Sequence, residues 1–306
     1  MRLFLIGVSA ALLASGCADS PPPHSLPSAL AAPGAPVPVP RGGGAPVFGE
    51  GVASDWQGNV YYNELDDNDR TMQSRAGRES ARPWRKAADD PNGMWLDGRN
   101  RLVICQQRAL VRVRAGDAFD NRTDTLFHYD GADLNDVTGD SRGNLFFTNF
   151  AGNTLFFRNA ATGDTKAAAT GLGRPNGVEW DEERKRLYVN LYGDGRTVLY
   201  DVAEDQSLSN RRDFAVVPAG DGITLDERGN VYAVSFSTGI VHVFDPDAGK
   251  LGEINLAGRQ PTNLGFGGAD CGTLYFVTNR GLYKLPMKVK GYKCGPPRDS
   301  GAKGPR

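Results

Sequence analysis

Glu50, Asn92, Asn135, Asn176, Asp221 and Asn263 carry six side-chain oxygens at intervals of 42, 43, 41, 45 and 42 residues. Carboxylates and amides with no thiolate or imidazole among them form a hard-oxygen donor set, for which calcium is the natural occupant. Two carboxylates, Glu50 and Asp221, repel in a confined space unless a cation neutralises them. Asn-Gly and Asp-Gly pairs are also ordinary turn chemistry. Turns alone do not explain why Glu50, or Asn135 ahead of Asp136, falls at the same phase.

The elements that carry these oxygens repeat with them. Five residues after each oxygen a turn-and-strand signature begins, at Asp55, Asp97, Asp140, Asp181, Asp226 and Gly268. In its fullest form it reads Asp140-Ser141-Arg142-Gly143-Asn144-Leu145-Phe146, a hairpin turn leading into an alternating apolar strand. A period in the low forties built from strands predicts an all-β, six-bladed β-propeller, and no long apolar run at helical spacing competes with it. Successive blades are rotated copies, so residues at one phase become a ring. If that phase opens each innermost strand, the six oxygens line one mouth of the central tunnel.

The 306 residues have a formal net charge of -1 and 23% charged side chains. That balance offers no basic stripe for nucleic acid, and the reading is of a monomer acting on a small molecule. Met1-Arg2, the apolar run Leu3 to Leu13 and Ala14-Ser15-Gly16-Cys17 have the order of an export signal, too short to span a bilayer. Ending at Cys17, the segment resembles the lipobox of bacterial lipoproteins, with Ala14 where a larger aliphatic residue is usual. The resemblance implies lipidation of Cys17 and an outer-membrane lipoprotein facing the periplasm or the surface, with plain secretion as the alternative. The only membrane contact is then the lipid anchor.

The domain reading is a signal over 1–17, a Pro/Ala/Gly-rich disordered tether over 18–47, the propeller over 48–291 and a tail over 292–306. Export permits disulfides, and Cys271 with Cys294 is the expected pair, stapling the final hairpin to the tail. Cys105 reads as a buried thiol.

The segments Phe48-Gly49-Glu50-Gly51, Pro91-Asn92-Gly93, Asn135-Asp136-Val137, Arg174-Pro175-Asn176-Gly177, Gly220-Asp221-Gly222 and Pro261-Thr262-Asn263 resemble, in order, the motifs of the gluconolactonase/SMP-30 (regucalcin) family. The resemblance runs from Phe48 to about Gly291. It implies a propeller that holds one divalent cation and hydrolyses lactones or related esters. By motif match, Glu50, Asn176 and Asp221 become metal ligands, with calcium favoured over zinc, manganese or magnesium. Asp221 is also the catalytic carboxylate that guides water, Asn135 and Asn92 contact substrate, and Asn263 stays structural.

The substrate-contacting positions depart from the family pattern. Asp133 stands where animal members carry a substrate-contacting arginine, and Phe147-Thr148-Asn149-Phe150 replaces a common Phe-Thr-Asp-Pro. These changes leave open a non-catalytic envelope propeller that binds a sugar, a peptide or a protein. A strictosidine-synthase-like condensing enzyme, which needs no metal, gains nothing from the Glu50, Asn176, Asp221 set.

Overall fold

The computed structural model describes residues 24–65, 69–86, 89–116, 122–131 and 133–295; the expected export signal and Cys17 lie outside them. Six four-stranded antiparallel sheets follow one another along the chain, and no helix occurs among the described residues. The innermost strands are Gly49–Ser54, Met94–Leu96, Leu134–Gly139, Pro175–Asp181, Gly220–Leu225 and Pro261–Gly267. Each touches the next, and the last touches the first, so the sheets close into a ring around a tunnel.

The Asp-x-x-Gly-Asn signature has a local reason. In the first blade Asp55 Oδ1 accepts from the amides of Gln57 and Asn59, while Oδ2 accepts from Asn59 Nδ2 and the Tyr61 hydroxyl. Asp140 and Asp226 hold their turns in the same way, through Asn144 and through Asn230 with Tyr232. One buried carboxylate thus fixes the turn and anchors the following strand. Between blades, apolar side chains interlock: Phe146, Phe157 and Trp180 are buried where the third blade meets the fourth.

The N-terminal segment departs from the sequence reading. Residues 24–47 were expected as part of the tether, yet they pack. Val37–Pro38 is the fourth strand of the last blade, with Val37 opposite Lys284. Leu26, Leu30 and Ala31 are buried against Ile254 and Leu285, and Arg41 reaches the buried Glu64 at 2.8 Å. A composition poor in large apolar residues suffices here because its few apolar side chains meet a preformed edge.

The start of the tail, residues 292–295, packs against the propeller, and the rest of it lies outside the described residues. Cys271 and Cys294 are disulfide-bonded with Cα atoms 5.6 Å apart. Tyr292 accepts from the amide of Glu183, and Lys293 Nζ enters the tunnel to meet Thr138 Oγ1 at 2.8 Å and Glu179 Oε1 at 2.7 Å. The tail therefore stops the tunnel at the end where the inner strands finish. Cys105 is free and buried, as expected.

Candidate active site

Five of the six ring oxygens lie at an irregularity of an inner strand. In the fourth blade Pro175 faces Leu191 and Val178 faces Val189, so Asn176 and Gly177 share the single partner Asn190. The same extra residue occurs at Asn135-Asp136 and at Asp221-Gly222, and next to Glu50 and Asn263. A bulge of this kind re-aims the side chains it carries, here toward the axis. It also crowds the backbones: a Cβ on Gly177 would come within 2.3 Å of the Asp221 carbonyl oxygen. Glycine after the ring oxygen is thus a demand of close approach.

The second strands lock this arrangement from outside. Asn190 Nδ2 donates to the Asp221 carbonyl at 2.5 Å, and Asn190 Oδ1 accepts from Thr197 Oγ1 at 2.5 Å. Asn63 holds the Asn92 carbonyl at 2.6 Å with Thr71 behind it, and Thr148 Oγ1 donates to the Asn176 carbonyl at 2.7 Å. In these three cases a blade positions the next blade's ring residue.

Glu50, Asn135, Asn176, Asp221 and Asn263 are all buried; Asn92, just ahead of its strand, is partly exposed. The electrostatics couple three carboxylates, one more than the sequence reading singled out. Burial, and then the charge of Asp136, push Glu50 up to about 8. Burial pushes Asp136 up to about 7, against amides of Val178 and Val137 that favour its ionised form. Asp221 is raised well above the usual carboxylate range by burial, then by Glu50 and Asp136, while a hydrogen bond from Asn176 opposes the rise. Asp136 was visible only as the one acidic residue directly following a ring oxygen, and its neighbour drew the attention. Asn263 hydrogen-bonds Asp136, which gives this structural member of the ring a definite task.

The donor set suits a hard divalent cation. Among the described residues three buried carboxylates share a mouth with no ion pair to a basic group, and Asn135 Oδ1 is a buried acceptor with no donor. Among the described residues no cluster of three or more His, Cys, Asp or Glu could hold a metal by itself. A cation here must be held partly by amide oxygens, as the combination of Glu50, Asn176 and Asp221 allows. The chain belongs to the SMP-30/gluconolactonase/LRE-like family. That family's profile matches residues 48–280.

A pentonolactonase of Haloferax volcanii is 31% identical over 158 residues, which are 48% of this chain and 54% of that protein, so the match spans about half the relative. A gluconolactonase structure from Xanthomonas campestris superposes with a TM-score of 0.74 at 24% identity, covering 87% of this chain and 94% of the other. The calcium-binding regucalcin of Agrobacterium tumefaciens gives 0.68 at 14% identity over 86% and 99% of the two chains. Structural likeness at these identities establishes the shared fold.

This member of the SMP-30/gluconolactonase/LRE-like family has a distinctive rim above its ring. Two residues before the ring oxygen, Asp90, Asp133, Arg174 and Ala219 adopt φ of 46°, 74°, 54° and 46°. Non-glycine residues take this left-handed conformation at a cost, and they persist where their surroundings fix them. Three of them are fixed alike: the carbonyls of Asp133, Arg174 and Ala219 accept from the amides of Phe150, Tyr192 and Phe236. Those aromatics form a row, with centroids 5.5 Å and 6.3 Å apart. The Arg174 guanidinium lies 5.2 Å over Phe150. Burial raises Asp133 above its ordinary range, a hydrogen bond donated by the Ala151 amide and then the charge of Arg174 oppose the rise, and no ion pair joins it to Arg174 among the described residues. Tyr192 is near enough to Asp221 to feel its charge.

Proposed function

We propose that the chain hydrolyses a lactone to the corresponding hydroxy acid at the tunnel mouth, in a cation-dependent reaction. The observation that carries this reading is the convergence of Glu50, Asp136 and Asp221, buried together and each held above its ordinary titration range. The lactonase names among the relatives and the family profile support it.

Glu50, Asn176 and Asp221 would hold the divalent cation, which supplies charge neutralisation and a Lewis acid for the lactone carbonyl. The remaining work falls to the chain's own groups. Asn135 and Asn92 orient the ring of the substrate from the neighbouring blades. Asp221 accepts a proton as water adds to the carbonyl carbon, then returns it to the ring oxygen as the C–O bond breaks. Asp136, turned toward the amide of Val178, maintains the negative field of the mouth. The aromatic row of Phe150, Tyr192 and Phe236 excludes water from one side. Arg174 offers donors and Asp133 an acceptor to polar groups on the substrate, taking the place of the missing arginine of the third blade.

A panel of lactones assayed with calcium, zinc, manganese or magnesium against a chelated control tests the reading. Turnover restored by a divalent cation is the expected outcome, and Glu50→Ala or Asp221→Ala should lower kcat by at least ~10²-fold with the fold intact. A set of lactones all left unhydrolysed under every metal would instead favour a binding propeller. We further propose that Cys17 is lipidated and tethers the enzyme to the envelope; an unchanged mature mass after inhibition of lipoprotein signal peptidase would refute that.

A further inference from the structure

The packing between the second and third blades changes character along its depth. Toward the tunnel mouth the two sheets meet through apolar side chains such as Cys105, Leu110, Phe147 and Phe156. Toward the opposite face they present arginines to one another. Arg101 and Arg112 come from the second blade, Arg158 from the third, and Arg99 and Arg142 from the adjoining turns. These five line a cavity of about 300 Å³.

Part of the charge is answered within the protein. Arg101 pairs with Asp97 at 2.6 Å, Arg112 with Asp124 at 3.1 Å and Arg142 with Asp140 at 3.4 Å. Arg158 bonds the Gly163 carbonyl and the Thr165 hydroxyl and feels the nearby Asp164 carboxylate without a close ion pair among the described residues, and the Arg99 side chain has no partner among the described residues. Burial and then the facing charge of Arg112 push Arg158 below its ordinary range, against the opposing charge of Asp164. Two guanidiniums meeting across a sheet interface repel unless something negative lies between them.

The unmet hydrogen bonds point the same way. Arg112 Nε and Trp95 Nε1, on two side chains that line the cavity, are buried without an acceptor. Both are donors, and none of the buried acceptors left without a donor lines this cavity. A cavity whose unfilled valences are all N–H calls for a ligand that accepts everywhere, and guanidinium forks match tetrahedral oxyanions.

We propose that this cavity is an oxyanion site that takes a phosphate or sulfate group, borne by a small molecule or by a lipid headgroup, between Arg112 and Arg158. It opens among the turns at 97–99 and 141–143, which adjoin the far ends of the inner strands, so its ligand does not compete with a lactone at the mouth.

The test uses the full-length protein titrated with inorganic phosphate or sulfate at fixed ionic strength, against chloride. Saturable binding of an oxyanion by calorimetry is expected, weakened at least tenfold in the Arg112→Gln, Arg158→Gln double variant, whose lactone hydrolysis stays at the parent level. Arg99→Gln changes only an exposed turn and serves if the double variant melts early; it should weaken binding severalfold. A second arm sediments the protein with phosphatidylcholine–phosphatidylglycerol vesicles. Vesicle binding that needs the same arginines assigns the headgroup as the source, and oxyanion binding without vesicle binding assigns a soluble ligand. A response equal to that of chloride together with no vesicle binding, or binding unchanged in the variants, overturns the proposal.

Discussion

At the scale of single residues, Asp136 tells most about how the mouth is poised. Its carboxylate accepts from the amide of Val178 at 3.1 Å and from Asn263, yet it stays close enough to raise both Glu50 and Asp221. Removing that charge while keeping the shape, as in Asp136→Asn, should raise the melting temperature of the chelated protein and shrink the stabilisation that calcium brings. An Asp136→Asn protein as cation-responsive as the parent would detach this residue from the site.

The same three groups set a pH profile. Glu50 and Asp136 titrate near 8 and 7 when folded, and in the ordinary carboxylate range when unfolded. The folded state therefore keeps protons that the unfolded state has released. Without cation, the contribution of these groups to stability is fully present below the ordinary range and is lost as pH climbs from about 4.5 toward 8. Melting curves of chelated protein from acid to mildly alkaline pH should show that decline, and added calcium should flatten it. A profile that rises over this window would contradict the assignment.

At the scale of elements, the decisive device is the bulge and the asparagine that braces it. Asn190 spans from its own strand to the Asp221 and Gly222 carbonyls at 2.5 and 3.1 Å. Truncation by Asn190→Ala leaves buried carbonyls and the Thr197 hydroxyl without a partner, a loss of roughly 1–3 kcal/mol in stability. Because the bulge aims Asp221, kcat should fall further than KM rises, and Asn190→Asp should fail to restore it. Urea titration alongside steady-state kinetics checks both.

The phase of the six oxygens was legible in the sequence because each is followed at a constant distance by a turn that only certain residues close. The bulges were not, since an extra residue in a strand leaves the repeat length within its normal scatter. Nor was the rim: Arg174 precedes the inner strand of its blade and Tyr192 follows the second, and only the pairing of the Tyr192 amide with the Arg174 carbonyl brings them together.

On the scale of the whole molecule, closure comes from both ends of the chain. The Pro-rich stretch before residue 48 looked unable to pack because composition counts how much surface a segment offers, not what it meets. Val39 is buried at the seam between the last and first blades, and Ala31 bridges to Met287. At the other end, the Cys271–Cys294 bond closes a loop over 23 residues and keeps Lys293 in the tunnel. Reduction, or Cys271→Ser with Cys294→Ser, should cost roughly 3 kcal/mol, read as a lower urea midpoint. Lactone hydrolysis should survive, since the tail stops the end of the tunnel remote from the mouth.

The strand that completes the last blade also dictates when the ring can exist. Val37 pairs with Lys284, so this segment must wait for one synthesised much later. Contacts so distant in sequence form late and slowly. Until residues 281–286 have emerged, the final sheet lacks a partner and its neighbours expose bare edges. A nascent chain is therefore an open arc, with an interval of vulnerability to misassociation set by the time taken to complete translation.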